Sequence, residues 1–265
     1  MADTATPTGN FKDRQELSSM GFLEHLEELR KRIIWSIVYI GAGFSVCYWW
    51  HEEIFALMQK PIQFALERHH LPTNLVYTNP TDPFNMYLKI SLIVGIFVAS
   101  PFVLYQVWAF IAPGLYKSER RYVAPFLFST VGLFVAGGFF AYKMVYPAAL
   151  DFLIDYSQQF TPMITINEYT NLFMTIVLGL GVVFEMPILV FFLALFGIVS
   201  PGWMWRNLRY SILVIFIIAA VITPTTDIMN MCIFAAPMVI LYLASIGVAW
   251  LVHPKQRKKR EMKNK

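Results

Sequence analysis

The sequence predicts an all-α membrane protein of six transmembrane helices with both termini in the cytoplasm. Of its 265 residues, 57% are hydrophobic and only 14% are charged, whereas a soluble domain carries charge on about a quarter of its residues. The apolar residues fall into long, nearly uncharged runs, which is typical of helices that cross a membrane. Most basic residues lie on one side of these runs, and that asymmetry predicts the orientation.

Six apolar runs are candidates for membrane-spanning helices. A helix needs roughly 20 apolar residues to cross a hydrocarbon core of about 30 Å. The fifth run has only 13 residues. It would rise about 20 Å as a helix, so we expect it to thin the bilayer locally or to recruit flanking residues. The runs are residues 33–50, about 88–112, 123 to about 145, 172–195, 210–222 and about 228–252.

The distribution of basic residues predicts which ends of the spans face the cytoplasm. Seventeen of the 21 Lys and Arg residues lie in the N-terminal segment, the second-to-third connection, the fourth-to-fifth connection and the C-terminal tail. The positive-inside rule places these segments in the cytoplasm. The opposite side has only Lys60, Arg68, Lys89 and Lys143. The basic tail is expected to contact anionic lipid rather than nucleic acid.

The chain divides into a polar N-terminal tail (residues 1–21), a membrane domain (22–252) and a basic C-terminal tail (253–265). On the outer side we expect residues 51–87 to form a long loop, because prolines recur along it. Alternating apolar and acidic residues between positions 148 and 160 predict a short interfacial helix.

Glu185 is the outlier among the apolar runs, because it lies in the middle of the fourth with no charged neighbour in that run. An ionisable group at this depth normally faces a protein interior or a wet cavity. Pro187 cannot donate to the carbonyl of Val183, so a bend is expected there. Glu185 is either a structural acid bonded to a neighbouring helix or, as we favour, a polar point in a cavity that a substrate or partner helix meets.

Two cytoplasmic segments carry patterned charge. In residues 22–32, apolar residues recur at helical spacing beside acidic and then basic side chains, and Glu28 with Arg32 forms an i,i+4 pair of favourable order. Residues 105–121 end the second span and cover the whole turn that follows, where Glu119 sits beside two arginines. By composition alone, residues 22–32 would be interpreted as a juxtamembrane helix with solvated charges, and the alternative for residues 105–121 is an ordinary loop that carries the charges which set the orientation.

No catalytic motif is evident, and we predict that the chain is not an enzyme and uses no cofactor or metal. The sequence has no nucleophile elbow, HExxH motif or phosphate-binding glycine loop. Cys47 and Cys232 lie in apolar runs and are interpreted as packing residues rather than a disulfide or metal site.

Together these motifs resemble the TatC family, the multispanning receptor subunit of the twin-arginine protein translocase. The resemblance covers nearly the whole of residues 22–252, and the first-turn motif is long and specific. The motifs in family order are HLEELRKR before the first span, NPTDPFNMYLK at 79–89, YQVWAFIAPGLYKSERR at 105–121, FEMP in the fourth span, and TP followed by Asp227 after the fifth.

The resemblance implies that the chain binds signal peptides bearing consecutive arginines, through Glu28 and Glu119. With single-span partners of the TatA and TatB type, such proteins use the protonmotive force to export folded proteins across the bacterial inner membrane. The chemistry agrees, because a guanidinium pairs bidentately with a carboxylate and a lysine does not. Each such contact contributes roughly 1.5–3 kcal/mol.

Further residues take roles from the same resemblance. Glu185 is expected to face the concave inner wall of a cup-shaped bundle, and Thr223 to lie where partner helices dock. Met231 occupies a docking position at which the family often has glutamine, so a hydrogen bond to a partner is in doubt there. The residues expected to shape the cytoplasmic surface around the two glutamates are Arg30, Phe110, Pro113, Leu115 and Tyr116.

Two other functions compete with a translocase receptor that assembles into multimers. A proton-coupled transporter would use Glu185 as its proton carrier, but it should show an internal repeat and several facing polar residues at midplane, which the sequence lacks. A purely structural membrane scaffold is the third possibility.

Overall fold

The computed structural model describes residues 11–111, 123–157, 159–160, 162–195, 197–222 and 228–252. Within these ranges the chain is almost entirely helical, with one isolated parallel bridge between Val76 and Thr165. The helices are α1 (Phe11–Trp49), α2 (His51–Arg68), α3 (Asp82–Ile111), α4 (Val123–Phe140), a π-helical turn (Ala141–Val145), α5 (Tyr146–Tyr156), α6 (Ile166–Val183), α7 (Met186–Leu195), α8 (Pro201–Arg206), α9 (Leu208–Ile222) and α10 (Ile228–Val252).

Among the described residues, five helical stretches are long and apolar enough to cross a membrane. A shorter apolar helix, Leu208–Val221, corresponds to the fifth predicted span. The all-α membrane fold and the shortness of that span are therefore confirmed, whereas six crossings and cytoplasmic termini stay predictions. The five long stretches are Glu24–Trp49, Asp82–Phe110, Phe126–Tyr156, Ile166–Ala194 and Met231–Trp250.

The expectation of a long loop after the first span was wrong for its first half. Residues 51–68 form α2, which buries Met58, Ile62 and Leu66 in the core. Pro61, which suggested a loop, lies inside this helix and is itself buried. The helix forms because its buried positions recur at helical spacing, and this apolar face packs against the spans.

The predicted interfacial helix is present as α5, but it begins earlier than expected. It continues directly from the π-helical turn that follows α4, so the third span and the outer helix form one continuous helical stretch. Its buried side includes Tyr146, Leu150 and Ile154. The helix is thus packed into the protein rather than lying free on the membrane surface.

Small residues allow α1 and α3 to cross in close contact. A Cβ atom added to Gly43 would lie 2.5 Å from the carbonyl oxygen of Gly95, and one added to Gly95 would lie 2.7 Å from the backbone nitrogen of Phe44. Ala99 adds a third small residue to the crossing. Such small-residue contacts are a general way of packing helices in lipid, where the hydrophobic effect supplies little attraction between them.

Contacts between helices show that the first and second spans run in opposite directions and that the fourth runs the same way as the second. His51, which follows α1, packs against Tyr87 near the start of α3, while His25 of α1 packs against Phe110 at the other end of α3. Trp108 near the end of α3 contacts Phe192 near the end of α7. We call the face with His25, Phe110 and the end of α7 the inner face, and the face with α2 and α5 the outer face.

Candidate functional site

The centre of the inner face is an ion pair held between α1 and α3. Arg32 Nη2 donates to Glu28 Oε1 at 3.1 Å, and Arg32 Nη1 donates to Gln106 Oε1 at 3.0 Å. The predicted i,i+4 pair is therefore confirmed. Because the other end of the guanidinium is fixed by a buried glutamine, the pair also fixes the position of Glu28 relative to α3.

Glu28 keeps part of its carboxylate available. Its side chain is 33% exposed, and the structure gives its second oxygen no hydrogen-bond donor among the described residues. A carboxylate offers about four lone-pair positions, so one cation on Oε1 leaves room for another on Oε2. Arg32 Nε is buried and has no acceptor in the described part of the chain. Glu28 Oε2 is therefore the group that can bind a further partner.

A ring contact joins the two predicted motifs next to this ion pair. His25 stacks on Phe110 with ring centroids 4.4 Å apart and planes inclined by 19°. Arg30 is exposed on the same helix as Glu28. The motif before the first span and the motif that ends the second thus meet in space, as the hypothesis of a shared surface requires.

The end of α3 and the first part of α4 are held together by an aromatic cluster. Trp108, near the end of α3, is buried and donates through Nε1 to Thr130 Oγ1 in α4 at 3.2 Å. Its ring also lies 4.4 Å from that of Phe192 and 6.2 Å from that of Phe126 in α4. The end of α3 and the first part of α4 are therefore held together beside α7.

Several predicted site residues lie outside the described residues. The structure brings together Glu28, Phe110 and the helix that carries Arg30, which is the half of the predicted surface contributed by α1 and the end of α3. Roles for the others stay predictions. Those residues are Glu119, Pro113, Leu115, Tyr116 and Thr223.

Sequence reasoning missed the residues that position Glu28. Gln106 and Trp108 lie inside the motif that marked the first cytoplasmic turn, but their roles depend on partners 74 and 22 residues away. A polar glutamine in an otherwise apolar run was the available signal, because a buried amide needs hydrogen-bond partners.

Glu185 lies at the break in the fourth span. The helix stops at Val183 and restarts at Met186, beside Pro187, where the sequence predicts a bend. Glu185 is half-buried, and its Oε1 has no hydrogen-bond partner among the described residues. Its neighbours Val183 and Met186 line an apolar groove, but Glu185 itself is not among the lining residues. Its predicted role toward a cavity stays a prediction.

Met231 is half-buried and packs against the hydrophobic core. Cys47 is buried and unpaired, and Cys232 is half-buried and unpaired, in keeping with their interpretation as packing residues. The docking role suggested for Met231 has no further support in its surroundings and stays a prediction.

Comparison with known proteins identifies the family. The model of the Sec-independent protein translocase protein (TatC) family matches residues 24–237. The chain belongs to the TatC family. It is therefore a multi-pass membrane component of a protein transport system, and the resemblance predicted from its motifs is confirmed.

Two TatC relatives match over almost their full length. The chain is 74% identical over 247 residues to the Sec-independent protein translocase protein TatC of Koribacter versatilis (strain Ellin345), covering 93% of this chain and 91% of the relative. It is 35% identical to the TatC protein of Aquifex aeolicus (strain VF5), covering 92% of this chain and 99% of that relative.

A solved structure has the same fold. The crystal structure of a twin-arginine translocase receptor, TatC, matches with a TM-score of 0.77 and 34% sequence identity. The match covers 86% of this chain and 99% of that structure. The predicted TatC-type bundle is therefore confirmed.

Proposed function

We propose that this TatC-family protein is the receptor of a twin-arginine translocation system, and that it recognises the arginine pair of signal peptides at its inner face. The observation that supports this most directly is the Gln106–Arg32–Glu28 arrangement, which holds a partly exposed carboxylate at a fixed position. A preorganised carboxylate loses less conformational freedom on binding than a mobile one.

Glu28 and Glu119 are proposed to pair with one arginine each. A guanidinium has five N–H donors in a planar fork and stays charged at any physiological pH, whereas an ammonium is a compact point charge. One carboxylate on α1 and one in the segment that follows α3 therefore favour two consecutive arginines over two lysines. Phe110 and His25 form a flat stacked surface beside Glu28, on which an arginine plane can rest.

The surface is proposed to act in the cytoplasmic membrane of a bacterium, with both termini of the chain in the cytoplasm. TatA-type and TatB-type single-span partners and further copies of this chain are proposed to assemble around it. Transport of folded cargo is proposed to draw on the protonmotive force, since the sequence has no nucleotide-binding loop.

Glu185 is proposed to be a hydrogen-bonding group for an inserted signal or partner helix. Its unpartnered Oε1 at the break between α6 and α7 leaves one acceptor for a group that the chain does not supply in its described part. In this role Glu185→Gln is milder than Glu185→Ala in export. Equal damage from both would instead favour an obligatory charge, as in the competing transporter hypothesis.

Crosslinking to a signal peptide tests the receptor proposal. Peptides with Arg-Arg or Lys-Lys at the recognition position, each with a photoreactive residue beside the pair, are mixed with membranes containing the protein. We expect Arg-Arg to be captured at least about tenfold better, because each bidentate contact that lysine cannot make contributes roughly 1.5–3 kcal/mol. Equal capture of both peptides would contradict the proposal.

Glu27 provides a matched control for Glu28. It is the preceding residue of α1, carries the same charge and is exposed, with no ion pair given for it among the described residues. Glu28→Gln and Glu119→Gln are expected to abolish the preference for Arg-Arg while the protein stays inserted, whereas Glu27→Gln retains it. Loss of preference in all three variants would point to net charge rather than to specific pairing.

A further inference from the structure

A groove of about 790 Å³ opens between the fourth span, α9 and α10. Its walls are almost wholly apolar, and along α9 they extend from Asn207 to Ile218. The lining residues of the fourth span include Leu178, Val182 and Met186. On the inner-face side the groove ends against Trp203 of α8.

A polar, basic pocket adjoins that end of the groove. It contains Arg206 and Arg209, and it shares Trp203, Asn207 and Tyr210 with the apolar groove. The two cavities therefore share a wall, and the first is apolar while the second is cationic and lies at the inner face. The pattern matches an amphiphile with an apolar chain and an anionic head.

The two arginines are available to a ligand. Neither is given an ion pair with a carboxylate among the described residues. Arg209 instead donates to the Tyr210 hydroxyl at 3.0 Å and lies 4.7 Å from the centre of that ring. Trp203, Trp205 and Tyr210 are all more than half exposed here, and aromatic residues of this kind mark the interface between membrane and water.

We propose that this composite groove is a binding site for an anionic phospholipid of the inner leaflet. The phosphate lies against Arg206 and Arg209, and the Asn207 amide is within the same pocket. The acyl chains occupy the space between the fourth span and α9, covering Val182 and Val214, which are 63% and 51% exposed. This site is separate from the Glu28 surface and does not depend on the proposed receptor function.

The charge beside the groove favours a lipid over a peptide helix. Its wall from Asn207, which precedes α9, to Ile218 extends about 17 Å at the rise of a helix, and acyl chains are thin enough to adapt to such a space. Arg206 and Arg209 form no ion pair with a carboxylate among the described residues. They complement a phosphate better than they complement an apolar helix.

Native mass spectrometry of the full-length protein in detergent tests the site. The protein is titrated with phosphatidylglycerol or phosphatidylcholine of identical acyl chains. We expect tighter binding of phosphatidylglycerol, and a loss of about tenfold to thirtyfold in that preference in the double variant Arg206→Gln/Arg209→Gln. Arg206→Lys/Arg209→Lys keeps most of the preference because it keeps the charge.

Two further variants distinguish a specific lipid-binding site from nonspecific electrostatic attraction of anionic lipid to the protein. Lys263→Gln/Lys265→Gln removes the same charge from the basic tail and is expected to leave the preference unchanged. Val214→Trp fills the groove and is expected to weaken binding of both lipids, with an unchanged unfolding temperature showing that the protein is folded. An unaltered preference in Arg206→Gln/Arg209→Gln, or normal binding in Val214→Trp, would overturn the proposal.

A photoreactive residue at position 214 identifies the occupant in membranes. Crosslinks to phospholipid are expected. Crosslinks only to a signal peptide or a single-span partner, with none to lipid, would assign the groove to a helix and overturn the lipid site.

Discussion

The outer and inner faces of this protein are built in different ways. On the outer face, side chains from distant segments are joined by hydrogen bonds in the interior of the fold. Asp82 is 2% exposed and accepts hydrogen bonds from the backbone and hydroxyl of Thr78, the backbone of Asn79 and the amide of Asn167. Lys89 donates to Asn167 and Asn171.

On the same face, two tyrosine hydroxyls hold α2 in place by donating hydrogen bonds to its backbone carbonyl groups. The hydroxyls of Tyr142 and Tyr169 donate to the backbone oxygens of Leu57 and Met58, so two spans are tied to one outer helix. A parallel bridge between Val76 and residues 164–166 closes the loop before α3. The outer face is thus a fixed platform.

On the inner face the polar groups are left more accessible. Glu28 and Arg32 have about a third of their side chains exposed, and the groove beside α9 is open. The contrast indicates that one face stabilises the fold and the other offers surfaces for ligands. A protein that must accept different cargo benefits from keeping its binding surface separate from its stabilising network.

Breaking the α1–α3 crossing should disrupt both faces and give the largest effect. In Gly95→Val the new Cβ would meet the backbone of Phe44 at 2.7–2.8 Å, which no rotamer change can relieve. We expect a loss of more than about 3 kcal/mol in the free energy of unfolding, measured by thermal or denaturant unfolding in detergent. Gly41→Val is the control, since no atom lies within 4 Å of its Cβ position; equal destabilisation by both would exclude the crossing as the cause.

Removing the Asp82 carboxylate should destabilise the hydrogen-bond network of the outer face. Asp82→Ala leaves several buried donors without an acceptor, and we expect a loss of about 3 kcal/mol in unfolding free energy. Glu168→Ala removes an exposed carboxylate from the same face and should change stability by less than about 0.5 kcal/mol. If Asp82→Ala unfolds at the wild-type temperature, the outer face is not the stabilising region.

Releasing Glu28 from its support should alter binding more than folding. Gln106→Ala removes the acceptor for Arg32 Nη1, so the ion pair loses its attachment to α3. We expect Arg-Arg peptide capture to weaken about tenfold, in line with roughly 1–2 kcal/mol for one charged hydrogen bond. Gln106→Glu restores an acceptor and should recover most of the capture, which a purely structural role would not require.

The smallest loss of stability is expected from removing a hydrogen bond in the inner half of the bundle. Ser211 donates to the Tyr242 hydroxyl at 2.7 Å, and Tyr242 donates to the carbonyl of Met204, joining α8, α9 and α10. Tyr242→Phe is expected to cost about 1 kcal/mol of stability, read from the unfolding temperature. A loss as large as that of Asp82→Ala would remove the distinction between the two faces.

The sequence predicted the elements whose signal is local. Long apolar runs predicted the spans. Pro187 predicted a bend close to residues 184–185, where the helix is interrupted, because proline acts on its own turn. It missed α2, since Pro61 and the charges of that segment outweighed its buried positions. Only the tertiary packing of α2 shows that those positions face the core.

The site residues also fall into those predictable from local sequence and those that depend on tertiary packing. Glu28 was identified from a motif and its i,i+4 partner. The role of Gln106 was not, because its partner Arg32 is 74 residues away in sequence and meets it only after α1 and α3 pack. The position of the groove beside the basic pocket likewise depends on α6, α8 and α9 together.

A double-mutant cycle between receptor and peptide tests the central claim most directly. Binding is measured for wild type, Glu28→Gln and Glu119→Gln against peptides with Arg-Arg, Lys-Arg and Arg-Lys. We predict that each glutamate couples to one arginine by about 1.5–3 kcal/mol and only weakly to the other. Coupling energies near zero for both glutamates would contradict recognition of the arginine pair by these two carboxylates.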